Sequence, residues 1–201
     1  MSGGRVPSYA EAVAIKAESQ PGEKFSYGPQ PFQVFGEVLR RKLAPNREGV
    51  MQYLERRILV PLDIKPARWR KDADGNPHLP SGAALTARDW VKFGEAIRLD
   101  AKGLLPAGKI ATCFRGTSAN PGYGLTWWLP AEGPAGAKVK RKLAGPGIPR
   151  EVWMAAGAGG QRLVIVPAKK LVAARLAPVQ RDNLRAFNDT AWIRAVLEDL
   201  E

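Results

Sequence analysis

One cysteine, Cys113, and one histidine, His78, are all that 201 residues offer of the usual soft metal ligands. A single cysteine excludes an internal disulfide, and beside one histidine it leaves no ligand set of the His/Cys type, so no metal is expected. Long apolar runs are missing as well. Charges interrupt each run well short of the roughly 18–20 residues that a spanning helix needs, so no membrane partner is expected. Met1 to Pro7 holds no apolar segment of the signal-peptide type. Nucleophile motifs are equally scarce. No serine or threonine has a lysine three residues on, no Gly-x-Ser-x-Gly elbow occurs, and the glycines near Gly157 are not followed by Lys-Ser/Thr. His78 stands in a polar, proline-flanked loop, which gives a Ser-His-Asp arrangement little support. No cofactor motif is present, and none is expected.

Positive charge, by contrast, is plentiful: Lys and Arg number 31 against 19 Asp and Glu, for a net charge of +12 and a pI near 10.1. The basic residues cluster at Arg40-Arg41-Lys42, Arg56-Arg57 and Lys138-Lys140-Arg141-Lys142. Each cluster is short, and the first two fall near expected helix C-terminal ends, where cations suit the helix dipole. No helix-turn-helix spacing, finger pattern or aromatic strand motif accompanies them, so a solvated basic surface is a better reading than a nucleic-acid partner. At 45% hydrophobic the chain can bury a core and form one domain with room for two lobes.

Along the chain, Tyr9 to Ala17 reads as a short helix with Val13 and Ile15 turned partly inward. Phe32, Phe35, Val38, Leu39 and Leu43 recur at helical spacing and predict a core-facing stripe; Val50, Met51, Leu54 and Ile58 repeat it until Pro61. Asp72 to Asn76 is turn chemistry. Thr86-Ala87-Arg88-Asp89 has N-cap spacing before a helix whose inner face is Trp90, Phe93 and Ile97. From Gly116 the pattern turns β-prone: Tyr123–Leu129, Glu151–Ala156, Gln161–Pro167 and Leu171–Leu176, with a Gly/Pro/Lys-rich loop over Glu132–Pro149. Asn188-Asp189 then caps a closing helix that faces Ile193, Val196, Leu197 and Leu200 inward. Helices first, antiparallel strands next and a final helix make the fold class α+β, with a helical lobe over 1–115 and the sheet and last helix over 116–201.

Two stretches are candidates for a site. Gly157-Ala158-Gly159-Gly160-Gln161 feeds an apolar strand, and glycines at a strand mouth let another molecule approach the backbone; the structural alternative is a tight turn entering a hairpin. Tyr27 lies in an awkward turn before a helix. A tyrosine there is either a base whose pKa is lowered by nearby cations or a buried ring with a satisfied hydroxyl.

Taken in order, these pieces resemble the serine hydrolases of the β-lactamase and penicillin-binding-protein superfamily, nearest to the class C β-lactamase-related esterases and amide hydrolases. Pro21 to Pro29 and the helix after it look like the family's Tyr-x-Asn segment. Tyr53 to Leu62 looks like its next helix with the Pro-Leu end. Gly82 to Asp89 is similar to its Gly-Gly-Leu-x-Ser/Thr-Ala-Arg-Asp stretch, the most specific of the four. Gly157 to Pro167 looks like the strand bearing the third motif, Lys/His-x-Gly.

The resemblance implies a partial β-lactamase/transpeptidase-like fold and an ester or amide substrate handled through an acyl-enzyme. It implies Tyr27 as proton relay, the Gln161 backbone N–H as one oxyanion-hole donor, and Ala158, Gly159 and Gly160 as substrate-binding backbone. It also exposes departures. Pro29 stands at the Asn position, Ala158 at the Lys/His position, and the Ser-x-x-Lys motif lies upstream of everything seen. The expectation is therefore a C-terminal portion without its nucleophile, inactive alone, with Leu171–Leu176 as an exposed sheet edge and the Phe32/Phe35 and Trp90/Phe93 stripes short of partner surface. A non-catalytic ligand-binding domain of the same fold is the alternative. Complete relatives are often exported while this stretch shows no signal peptide, which leaves the location open between periplasm and cytoplasm.

Overall fold

The computed structural model describes residues 5–130, 143, 145–178 and 187–198. Two compact units meet in sequence between Thr86 and Ala87, ahead of the division expected at 115/116. The helix just after that point packs on the strands, which places it with the sheet.

In the first unit, α1 (Tyr9–Ala14) starts from a capping box: Glu11 N–H donates to Ser8 Oγ, and Ser8 N–H donates to Glu11 Oε2. Its buried residues are Tyr9 and Ala12, three apart, while Val13 and Ile15 are exposed. The expectation for those two was wrong because a six-residue helix has only one short inward face.

The next helix, α2 (Gln30–Leu43), departs from expectation in the same way. It buries Gln33, Gly36, Glu37 and Leu43, whereas Phe35 and Val38 of the apolar stripe are exposed. The polar face is buried because it is fully bonded. Gln33 Nε2 donates to Pro7 O (2.8 Å), Leu79 N–H donates to Gln33 Oε1 (3.1 Å), and Tyr9 Oη donates to Pro77 O (2.9 Å). Gly36 is required there, since a Cβ would lie 2.2 Å from Tyr9 Cζ. Burial, followed by the Asp72 and Glu37 carboxylates, pushes the Tyr9 phenol above its ordinary pKa. Glu37 takes both Arg40 and Arg41, and their hydrogen bonds lower its carboxyl to about 2. Helix α3 (Val50–Leu54) continues through one wider turn, Glu55–Leu59, and stops before Pro61. A two-residue ribbon, β1 (Arg68–Trp69) with β2 (Ala83–Ala84), completes the unit.

The second unit is a three-stranded antiparallel sheet, β3 (Trp153–Ala156), β4 (Arg162–Val166) and β5 (Leu171–Arg175), in that spatial order. Helices cover both faces. Strand alternation sorts β4 between them: Leu163 and Ile165 pack with Ile97 of α4 (Ala87–Arg98), and Val164 and Val166 pack with Ile193 and Leu197 of α5 (Asp189–Glu198). All five β4 residues are buried: the apolar Leu163, Val164, Ile165 and Val166 between the helices, and Arg162 in its ion pair with Asp189. Gly94 lets α4 approach β5, since a Cβ there would lie 2.6 Å from Val172 Cγ1. Trp90 and Phe93 are half-buried and meet edge to face at 6.1 Å.

Among the described residues β5 pairs with β4 alone, and Leu176 beyond it is exposed. Tyr123–Leu129 is not a strand. Trp128 bridges Tyr123 and Met154 singly, and Trp127, Trp128 and Leu129 fill both cores instead. Asn188 caps α5, its Oδ1 accepting from Ala191 N–H at 3.0 Å. Most of the Glu132–Pro149 loop, and Leu200, lie outside the described residues. No helix among the described residues is long and apolar enough to cross a membrane.

Candidate active site

Four of the five candidate residues fall in one turn of the second unit. Strands β3 and β4 pair up to Ala156 opposite Arg162, and Gly157 N–H donates to Gln161 O at 2.9 Å to close the hairpin. Ala158–Gly160 make a single 3₁₀ turn, so β4 begins at Arg162 and Gln161 is the residue entering it. Gly159 (φ 68°) and Gly160 (φ 78°) both take left-handed conformations that residues with a Cβ resist. A Cβ at Gly160 would lie 2.6 Å from Arg175 Nη1, so a larger residue there would displace that guanidinium. Ala158 is exposed, Gly159 and Gly160 are buried, and Gln161 is half-buried.

Behind the turn stands a polar cluster that the sequence reading missed. Arg162 Nη1 donates to Gly157 O (2.9 Å) and to Gln161 O (2.7 Å), and its Nε is bonded to Asp189 Oδ1. Arg175, opposite Arg162 in the ladder, donates from Nη1 to Gly160 O at 2.8 Å. Both guanidinium groups lie against the Phe187 ring, at 5.2 Å for Arg162 and 4.2 Å for Arg175. The Gln161 side chain clips to the chain after β5: its Nε2 donates to Ala177 O (2.5 Å) and its Oε1 accepts from Ala177 N–H (3.0 Å). A register placing 162 opposite 175 was the available signal, but neither arginine stood out among 31 basic residues.

Tyr27 belongs to the first unit. It is 40% exposed and sits just ahead of Pro29, the N-cap residue of α2, which makes no side-chain cap bond. An amide side chain at position 29 could have reached into a site; the pyrrolidine ring cannot.

The second unit also holds a cavity of about 440 Å³. Phe114 and Trp153, stacked at 3.5 Å and 7°, form part of its wall, with Leu129, Arg98 and Arg150 around them. Trp153 opens β3, so the cavity and the glycine turn lie at opposite ends of that strand. Cys113 lies near by, and burial raises its thiol pKa away from the reactive range. No cluster of His, Cys, Asp and Glu among the described residues could hold a metal ion.

No family model matches the sequence, and no curated protein matches it. Solved structures do. A protein from Bacillus anthracis assigned as a 6-aminohexanoate-dimer hydrolase superposes with a TM-score of 0.68 at 18% identity, over 96% of this chain and 46% of its own. A protein from Bacteroides dorei assigned as a β-lactamase superposes with a TM-score of 0.63 at 16% identity, over 96% of this chain and 63% of its own. This chain therefore spans about half the length of the first and under two thirds of the second. At these identities the likeness speaks for the fold, and it agrees with the motif resemblance in the sequence. The chain carries, in part, the β-lactamase/transpeptidase-like fold that it shares with both neighbours.

Proposed function

We propose that this chain is the C-terminal portion of a β-lactamase-related serine hydrolase, contributing one wall of the cleft but not the nucleophile. The observation that carries the proposal is the pairing of two facts. Almost the whole chain superposes on part of a longer hydrolase fold, and no serine or threonine in it has a lysine three residues on. In the complete enzyme a serine would take the acyl group of an ester or amide, and water would release it. Tyr27 would relay the proton. Gln161 N–H would donate to the oxyanion, with Ala158, Gly159 and Gly160 leaving its approach open; one such donor is worth about 100- to 1000-fold in rate. The names of both neighbours point to amide bonds, in a 6-aminohexanoate dimer and in a β-lactam, which favours amides within the substrate class.

The purified chain is expected not to turn over a nitrophenyl ester. Turnover that Tyr27→Phe abolishes would overturn the inactivity. An in-frame Ser-x-x-Lys in the coding sequence just upstream, with activity on co-expression of that segment, is the supporting result. Pro29 and Ala158, at positions where the family has Asn and Lys or His, favour a second reading: a non-catalytic ligand-binding domain. Its mark would be saturable ligand binding without turnover in the completed protein.

A further inference from the structure

The glycine turn has backbone carbonyls in part-buried hydrogen bonds, where losing a partner would be costly. Three of them, Gly157, Gly160 and Gln161, are met by only two side chains, Arg162 and Arg175. A guanidinium is suited to this, because its rigid fork can serve two acceptors at once, and the Nη1 of Arg162 does so. The clasp is itself held. Asp189 fixes the Nε of Arg162, and Phe187 packs against both guanidinium groups.

Peptide planarity carries the consequence to the other side of the turn. In a trans peptide the C=O of one residue and the N–H of the next point in opposite directions, and every peptide here is trans. With Gly160 O drawn to Arg175, the Gln161 N–H is aimed away from the clasp. The Gln161 side chain cannot swing the peptide, being tied at both ends of its amide to Ala177.

We propose that Arg162 and Arg175 are positioning residues that set the direction of the Gln161 N–H by holding the carbonyls of its turn. The role assigned to that N–H rests on the hydrolase reading above; the clasp does not.

The test uses the isotopically labelled chain without substrate, so failure of the hydrolase reading leaves it untouched. Residual dipolar couplings give the direction of the Gln161 N–H, its order parameter gives the rigidity, and the Gly160 carbonyl ¹³C shift reports the bond from Arg175. In the parent chain the Gln161 order parameter is expected near the ~0.85 of rigid backbone. In Arg175→Met it is expected to fall below ~0.6, with a changed N–H direction and an upfield Gly160 carbonyl, while β4 amides keep their couplings. If Arg175→Met does not fold, Arg175→Lys carries the test, since it keeps the charge but loses the planar fork; the same local changes are expected at smaller size. An unchanged Gln161 N–H in a folded variant overturns the proposal, and so does a loss of order spread evenly over β4 and β5.

Discussion

Arg162 of the central strand and Asp189, the first residue of α5, form an ion pair whose side chains are only 5% and 12% exposed. The pair ties the sheet to the helix packed on it, and it leaves Arg162 free to turn its Nη1 toward the glycine turn. Removing one partner strands the other charge out of water, which typically costs about 3–5 kcal/mol. Asp189→Ala is therefore expected to lower the urea midpoint sharply. Replacing both, as Arg162→Met with Asp189→Leu, should cost less than Arg162→Met alone, because both lose the bonds to the turn carbonyls and only the single change leaves a buried charge unpaired. A double substitution at least as damaging as the single one would show that the pair's worth lies elsewhere.

Gly94 and Val172 meet where α4 lies on β5. Alanine at 94 would bring about 1 kcal/mol of helix propensity, but its Cβ would sit 2.6 Å from Val172 Cγ1 and 3.0 Å from Leu163 Cδ1. Those neighbours are packed core atoms, so overpacking should win by roughly 1–3 kcal/mol. Gly94→Ala is expected to destabilise the chain in denaturant unfolding, and Val172→Ala in the same chain should recover part of the loss by removing the nearer atom. Strictly additive effects of the two changes would contradict this contact.

How much of this was legible in advance differs between the units. In the second, the apolar run over 163–166 reads as a strand and Asn188 ahead of the closing helix reads as its cap, which the bond from Ala191 N–H to Asn188 Oδ1 matches. In the first, periodicity failed on α2. Hydrophobic spacing chose the Phe35 and Val38 face, whereas the helix buries Gln33 and Glu37. Glu37 is satisfied locally by Arg40 and Arg41, but Gln33 is inside because partners more than twenty residues away in sequence, Pro7 and Leu79, satisfy it, and no local pattern reports such bonds. The same limit hid Arg162 and Arg175. Their importance lies in a cross-strand register and in carbonyls around the turn, Gly157 O for Arg162 and Gly160 O for Arg175, that no sequence pattern pairs with them.

Glu37 makes the first unit sensitive to acid. Hydrogen bonds from Arg40, then Arg41, hold its carboxyl at about 2 against an ordinary value of 4.5. A carboxylate whose pKa is lower in the folded state contributes stability that is present above the unfolded value. That contribution fades as pH falls from about 4.5 through about 2. Arg40 and Arg41 are 49% and 68% exposed, so solvent screening reduces the gain to about 1 kcal/mol. Stability measured from pH 6 to pH 2 should decline, and Glu37→Gln should flatten that decline at some cost at neutral pH. An identical pH slope in parent and variant would exclude Glu37 as a source.

Tyr27 offers the sharpest division between the hydrolase reading and the binding-domain reading. If the tyrosine relays a proton, its hydroxyl matters only once a nucleophile is present. Tyr27→Phe should then leave the isolated chain folded, since the residue is 40% exposed. In the completed enzyme the same change should lower kcat by about 100- to 10,000-fold, the usual worth of a positioned acid or base, with KM little altered. The binding-domain reading expects the reverse: no turnover to lose, and at most a weakened ligand affinity in Tyr27→Phe. Measuring kcat and KM for an ester and an amide after restoring a Ser-x-x-Lys segment therefore separates the two. A completed protein that binds either compound without hydrolysing it would favour a cleft kept for recognition, with Ala158 and Pro29 marking what catalysis lost.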